Sequence, residues 1–154
     1  MSNRAATPLF VPIQNNLMAS TSDDFLVTPE EIEKAVAAVG PDFMSILEEG
    51  AANIRAYHER QVEKTWFDTF RPGVCLGAKF TPIQRVGVYV PGGTAAYPST
   101  VLMDTIPAHV AGVPSIAVFT PPAKDGSVNP YILAAAHVAG ATEIYKVGGA
   151  QGIA

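Results

Sequence analysis

The sequence predicts an α/β fold: a parallel sheet with helices packed against it, preceded by two N-terminal helices. Three observations carry this reading. From Arg85 onward, short apolar runs at 86–90, 115–120 and 143–147 alternate with helix-length segments at 99–111, 129–139 and from 150 on. That alternation argues for parallel strands joined by right-handed crossovers. A strand, a Gly-Gly turn and a helix start occur together twice, at Val86-Gly87-Val88-Tyr89-Val90 with Pro91-Gly92-Gly93, and at Ile144-Tyr145-Lys146-Val147 with Gly148-Gly149. Ahead of them, residues 28–64 repeat apolar side chains with a helical period.

Composition sets the bounds. A chain of 154 residues suits one domain with a real core. Hydrophobic residues make up 48% and charged residues 16%, against about a quarter charged in an average domain. The low charge predicts apolar surface meant to be covered by a partner or by further chain, and hence poor solubility or self-association of the chain alone. The net charge of −4, with no basic patch, argues against nucleic acid as a partner. The most apolar stretch, 106–118, is interrupted by Pro107, His109 and Pro114, so no membrane span is expected. One cysteine, Cys75, and no signal-peptide pattern predict a reducing, cytoplasmic setting.

Residues 1–24, with Pro8, Pro12 and a Ser/Thr cluster, read as an irregular lead-in. Thr28-Pro29-Glu30-Glu31 is a helix start, with Thr28 as cap, Pro29 in the first turn and Glu31 closing a capping box. This helix should stop at Gly40, and Pro41-Asp42 should open a second one that ends near Lys64. Its apolar face would carry Phe43, Ile46, Leu47, Ile54 and Tyr57. Residues 66–84 read as connector and small β structure, with a turn at Arg71-Pro72-Gly73 and a strand from Val74. Pro121-Pro122 ends the second parallel strand, Asp125-Gly126 turns the chain, and Asn129-Pro130 starts a helix. Ser99 or Thr100 is placed to cap the helix before it, and Gly112 and Gly140 end their helices. The predicted organisation is a lead-in over 1–24, a helical segment with a small β connector over 25–84, and an incomplete, Rossmann-like nucleotide-binding unit over 85–154.

A turn without side chains at the end of a parallel strand lets a ligand approach the backbone, and two such turns share the edge where α/β proteins bind nucleotides. The stretch 89–100 is neither the dinucleotide glycine fingerprint nor a Walker loop, since no Gly-Lys-Ser/Thr follows. A plain surface loop is the bland alternative. His58, His109 and His137 lack metal-ligand spacing and read as solvated helix residues. Cys75 reads as a small buried hydrophobe, Trp66 as a packing residue, and Asp104 and Glu143 as lone surface carboxylates.

The words themselves resemble one family. Tyr89-Val90-Pro91-Gly92-Gly93, Tyr97-Pro98-Ser99-Thr100-Val101-Leu102-Met103, Ile106-Pro107-Ala108 and Val147-Gly148-Gly149-Ala150-Gln151, in this order and spacing, resemble histidinol dehydrogenase. Ile54-Arg55-Ala56-Tyr57-His58-Glu59 and the helix start at Thr28 look similar too, so the resemblance covers roughly residues 25–154. It implies an NAD-dependent, zinc-requiring enzyme of histidine biosynthesis. Such an enzyme oxidises L-histidinol to L-histidine through the aldehyde in successive hydride transfers, as a homodimer with active sites at the subunit interface. It also implies that Tyr89 and Gln151 contact NAD and that Pro91 lines the nucleotide. No zinc ligand and no catalytic residue carries over to this sequence, because the family's chains are much longer and those residues follow the point where this one stops. Residues 1–24 do not resemble the family's N-terminal helical stretch, and Thr94 and Gly152 depart from its usual residues. The chain is therefore expected to be an N-terminal fragment, inactive alone. The alternatives are a short non-catalytic nucleotide-binding or assembly module, or a same-fold dehydrogenase of another polar alcohol.

Overall fold

The computed structural model describes residues 25–92 and 96–153. The lead-in over 1–24, Gly93 of the first turn and Thr94 lie outside the described residues. Helix α1 spans Pro29–His58 and runs into a short 3-10 turn, Glu59–Gln61. Strands β1 (Trp66–Arg71) and β2 (Val74–Ala78) form an antiparallel hairpin. Then follow β3 (Arg85–Tyr89), α2 (Pro98–Val110), β4 (Ser115–Phe119), α3 (Pro130–Ala139), β5 (Glu143–Tyr145) and the short α4 (Ala150–Ile153). The three later strands pair in parallel in the order β3-β4-β5.

The alternation of each strand sorts its side chains. Val88, Val90, Ile116, Val118 and Ile144 are buried in the core that the helices cover. Tyr89, Phe119 and Tyr145 fall on the opposite face, where the Phe119 and Tyr145 rings stack at 5.2 Å. Helix α3 is apolar almost all round, with Ile132, Leu133, Ala134, Ala135, Ala136 and Ala139 buried, as a helix enclosed by neighbours must be. It packs against both α1 and α2. Asn129 caps it by accepting from the Tyr131 amide at 2.9 Å, and Gly140 closes it in the left-handed conformation.

Several expectations need correction. Where two N-terminal helices are predicted, the helical element is one run over Pro29–His58 without a connecting loop, but its backbone leaves the helical region at Gly40 (φ 77°, ψ 164°), where the sequence places the stop, and resumes at Pro41. A residue before proline is pushed out of the helical region and a positive φ suits glycine, so the break falls at Gly40. The element's buried stripe is Ala35, Leu47 and Ala51, while Ile46 and Tyr57 point to solvent. Helix α2 begins at Pro98 with Tyr97 as its cap residue and no side-chain cap, so neither Ser99 nor Thr100 caps it. Cys75 is exposed rather than buried, because no hairpin side chain packs into the core. Trp66 is half exposed, and Phe67 (64%) and Phe70 (62%) are more so. Glu143 is not a lone carboxylate: it accepts from Arg85 Nη2 at 2.6 Å and from the Tyr145 hydroxyl, tying β3 to β5 across β4. That bond and partial burial push the Tyr145 phenol up from its ordinary value.

The N-terminal segment is tied to the sheet. Val27 donates to the Ile144 carbonyl at 2.9 Å and Lys146 donates to that of Phe25 at 2.6 Å, so residues 25–27 shield the outer edge of β5. The capping box forms as read: Thr28 Oγ1 accepts from the Glu31 amide, and Glu31 Oε2 accepts from the Thr28 amide. The other Glu31 oxygen accepts from Lys146 Nζ at 2.7 Å. Partial burial raises the Glu31 carboxyl, but the bonds from Lys146 and Thr28 outweigh it and hold the group below its ordinary 4.5.

A carboxyl depressed on folding contributes stability above its unfolded pKa and loses it as the pH falls through the folded one. Glu31→Gln keeps the cap and removes the ion pair. It should cost about 1 kcal/mol in urea unfolding at neutral pH. The gap between wild type and variant should close as the pH falls from about 5 through the lowered Glu31 value.

Candidate functional site

The C-terminal ends of β3, β4 and β5 lie side by side and release three connections, after Tyr89, Phe119 and Tyr145. Open α/β sheets bind ligands at this edge. Tyr89, the last residue of β3, is 37% exposed on the face away from the helix core. Its hydroxyl accepts from the Gly149 amide at 3.4 Å, across sixty positions of sequence. Gly149 has φ +64°, and a Cβ built there would stand 3.0 Å from Gln151 Oε1. Tyr89 and Gln151 therefore converge on one glycine, joining the two turns that the sequence singles out. Pro91 is exposed in the first turn, immediately before Gly92.

Beside them, a crevice of about 280 Å³ opens between the connections after β3 and β4, lined among others by Gly92, Thr120, Pro121, Ser127 and Asn129. Ser127 of this lining is bonded to Asp125. Bonds from the Ser127 hydroxyl (2.7 Å) and amide (3.0 Å) hold the Asp125 carboxyl below the usual carboxylate range. A larger cleft of about 480 Å³, lined by His58, Gln61, Phe80 and Pro107, lies at the other end of the strands. His58 there is occupied by Gln61 at 2.6 Å. Among the described residues no group of three or more His, Cys, Asp or Glu is placed to hold a metal ion. His109 and His137 are exposed on α2 and α3, as the sequence suggests. No helix among the described residues is long and apolar enough to cross a membrane.

Sequence reasoning missed two residues at this edge. Pro121 reads as a strand terminator but sits between Gly92 and Gly148. Lys146 reads as part of a strand but carries the ion pair to α1. A proline doublet directly after the central strand is a usable signal for the first; the second is set by tertiary contact alone.

Comparison with known proteins follows the same lines. The family profile for histidinol dehydrogenase matches residues 13–154. The chain is 54% identical over 132 residues to histidinol dehydrogenase of Geobacillus kaustophilus, covering 86% of this chain and 31% of that protein. It is 54% identical over 140 residues to the Halobacterium salinarum enzyme, covering 88% and 32%. The fold matches the crystal structure of histidinol dehydrogenase from Elizabethkingia anophelis with a TM-score of 0.86 at 35% identity, over 96% of this chain and 34% of that one. The chain thus spans about a third of the length of the relatives it matches.

Gly149→Ala puts a side chain into the left-handed region and against Gln151. It should cost about 1–2 kcal/mol by chemical denaturation. Gly50→Ala, which meets only an ordinary 3.7 Å contact, should cost no stability.

Proposed function

The chain belongs to the histidinol dehydrogenase family, and from that premise we propose that it supplies part of the NAD site of an enzyme oxidising L-histidinol to L-histidine. Tyr89, Pro91 and Gln151 are its nucleotide contacts in this proposal. The supporting observation is the convergence of Tyr89 and Gln151 on Gly149. A backbone turn bare of side chains is flanked there by an aromatic ring with a hydroxyl tip and by an amide with donors and an acceptor. Those groups suit a ligand that mixes flat rings, ribose hydroxyls and phosphate. NAD, when bound, supplies the hydride acceptor; the chain's own residues bind and orient it.

The family resemblance also implies zinc. The described residues do not fit it, since no three candidate donors gather anywhere among them, and no step is assigned to the metal. In this proposal the chain binds NAD without turning over histidinol by itself. A reducing, cytoplasmic setting belongs to the same reading and is supported by the exposed thiol of Cys75.

Titration calorimetry of the purified chain with NAD should show saturable binding. Tyr89→Ala or Gln151→Ala should weaken it about tenfold, with no NADH absorbance on adding histidinol. Absence of NAD binding by the wild-type chain would sink the nucleotide reading, and histidinol-dependent NADH would sink the inactivity.

The proposal includes a homodimer. It is supported by the hairpin, which among the described residues pairs with no other strand and exposes Trp66, Phe67, Phe70 and Leu76. A two-stranded hairpin is marginal in water without such cover. Phe67→Ser with Phe70→Ser should move the sedimentation coefficient from dimer to monomer while circular dichroism stays unchanged; a wild-type chain that is monomeric at high concentration would refute the dimer.

A further inference from the structure

Between the two glycine turns stands Pro121, the second residue after β4. A Cβ built on Gly148 would lie 2.5 Å from Pro121 Cβ and 3.1 Å from its Cα and Cγ. One built on Gly92 would lie 2.8 Å from Pro121 Cγ and 2.8 Å from its carbonyl oxygen. Real Cβ atoms do not come this close, and neither glycine has a positive φ. The constraint at both is therefore space beside one proline, rather than backbone conformation. The strand order explains the stacking: the connection from the central strand β4 lies between those from β3 and β5.

We infer that Pro121 is a positioning residue, a wedge that sets the spacing of the Pro91-Gly92 and Gly148-Gly149 turns and so brings the Tyr89 hydroxyl onto the Gly149 amide. A proline ring suits this role. Its φ is fixed and it has no side-chain torsion by which to swing aside, so it transmits position from one turn to the next. A longer, flexible side chain would fill the same space without fixing the distance. What the turns receive rests on the nucleotide reading above; how they are spaced does not.

The test uses the full chain and two readouts: the Gly149 amide resonance in a nitrogen–proton correlation spectrum, and NAD affinity by calorimetry. Pro121→Gly should move the Gly149 amide in the same direction as Tyr89→Phe and weaken NAD binding about tenfold through lost preorganisation. Gly148→Ala should do the same by overfilling the contact. The Gly148→Ala, Pro121→Gly double variant should lie closer to wild type than either single variant, because the added methyl takes space the ring has left. Should Gly148→Ala fail to fold, Pro121→Gly alone and recovery of folding in the double variant carry the test.

An unmoved Gly149 amide in Pro121→Gly, or strictly additive effects in the double variant, would overturn the wedge. If the wild-type chain binds no NAD yet the amide responds as described, the ligand assignment falls and the wedge stands. If the wild-type chain binds NAD and Pro121→Gly binds it equally with the amide unmoved, the wedge falls and the ligand assignment stands.

Discussion

The rest of this structure depends on α3 being thin. It is enclosed by α1, α2 and the sheet, and it meets them with Ala134, Ala135, Ala136 and Ala139, all fully buried. Small side chains let helix axes approach, so α1 can lie close over α3 and share its core instead of forming a separate unit. Leucine at those positions would hold α1 away from the sheet and expose Ala35, Leu47 and Ala51. The N-terminal helix is also tied to the sheet at its start, through the Glu31–Lys146 pair and the backbone bonds of residues 25–27 to β5.

Packing these helices on one face gives the other face its character. Tyr89, Phe119 and Tyr145 stand there, with Arg85 and Glu143 bridging the outer strands. Strand order then brings three connections to one edge, and the glycines at that edge have different duties. Gly92 and Gly148 make room for Pro121, while Gly149 adopts a positive φ beside Gln151. A Gly-Gly turn after a parallel strand is thus not automatically a ligand cradle; of Gly92, Gly148 and Gly149, only Gly149 has the conformation that requires glycine.

What was legible in the sequence was local. The apolar run at 86–90 gave a strand, Thr28 and Glu31 gave a capping box, and Asn129 and Gly140 gave the ends of α3. Tyr89 and Gln151 were named by the family resemblance rather than by any local pattern, and the structure sets both beside Gly149. What was not legible depended on contacts far apart in sequence. Cys75 and Trp66 lie in a strand pattern that looks half-buried, yet nothing among the described residues covers the hairpin. Glu143 has no cation near it in sequence; Arg85, fifty-eight positions earlier, finds it because β3 and β5 flank β4. At Gly40-Pro41 the stop signal was legible and the backbone does leave the helical region there; that the helix resumes at once was not.

The edge combines a rigid spacing with a weak bond. Pro121 leaves no slack against Gly92 or Gly148, whereas the Gly149 amide reaches the Tyr89 hydroxyl at 3.4 Å, longer than an ordinary hydrogen bond. Breaking so long a contact costs less than the about 1 kcal/mol of a well-formed one. A ligand acceptor can therefore take the Gly149 amide from Tyr89 at little expense, and the freed hydroxyl can donate in turn. The spacing of the turns, which would be costly to rebuild on binding, is already set by sterics. On the proposed reading, such an edge would hold its shape before a ligand arrives and exchange only its weakest interaction on binding.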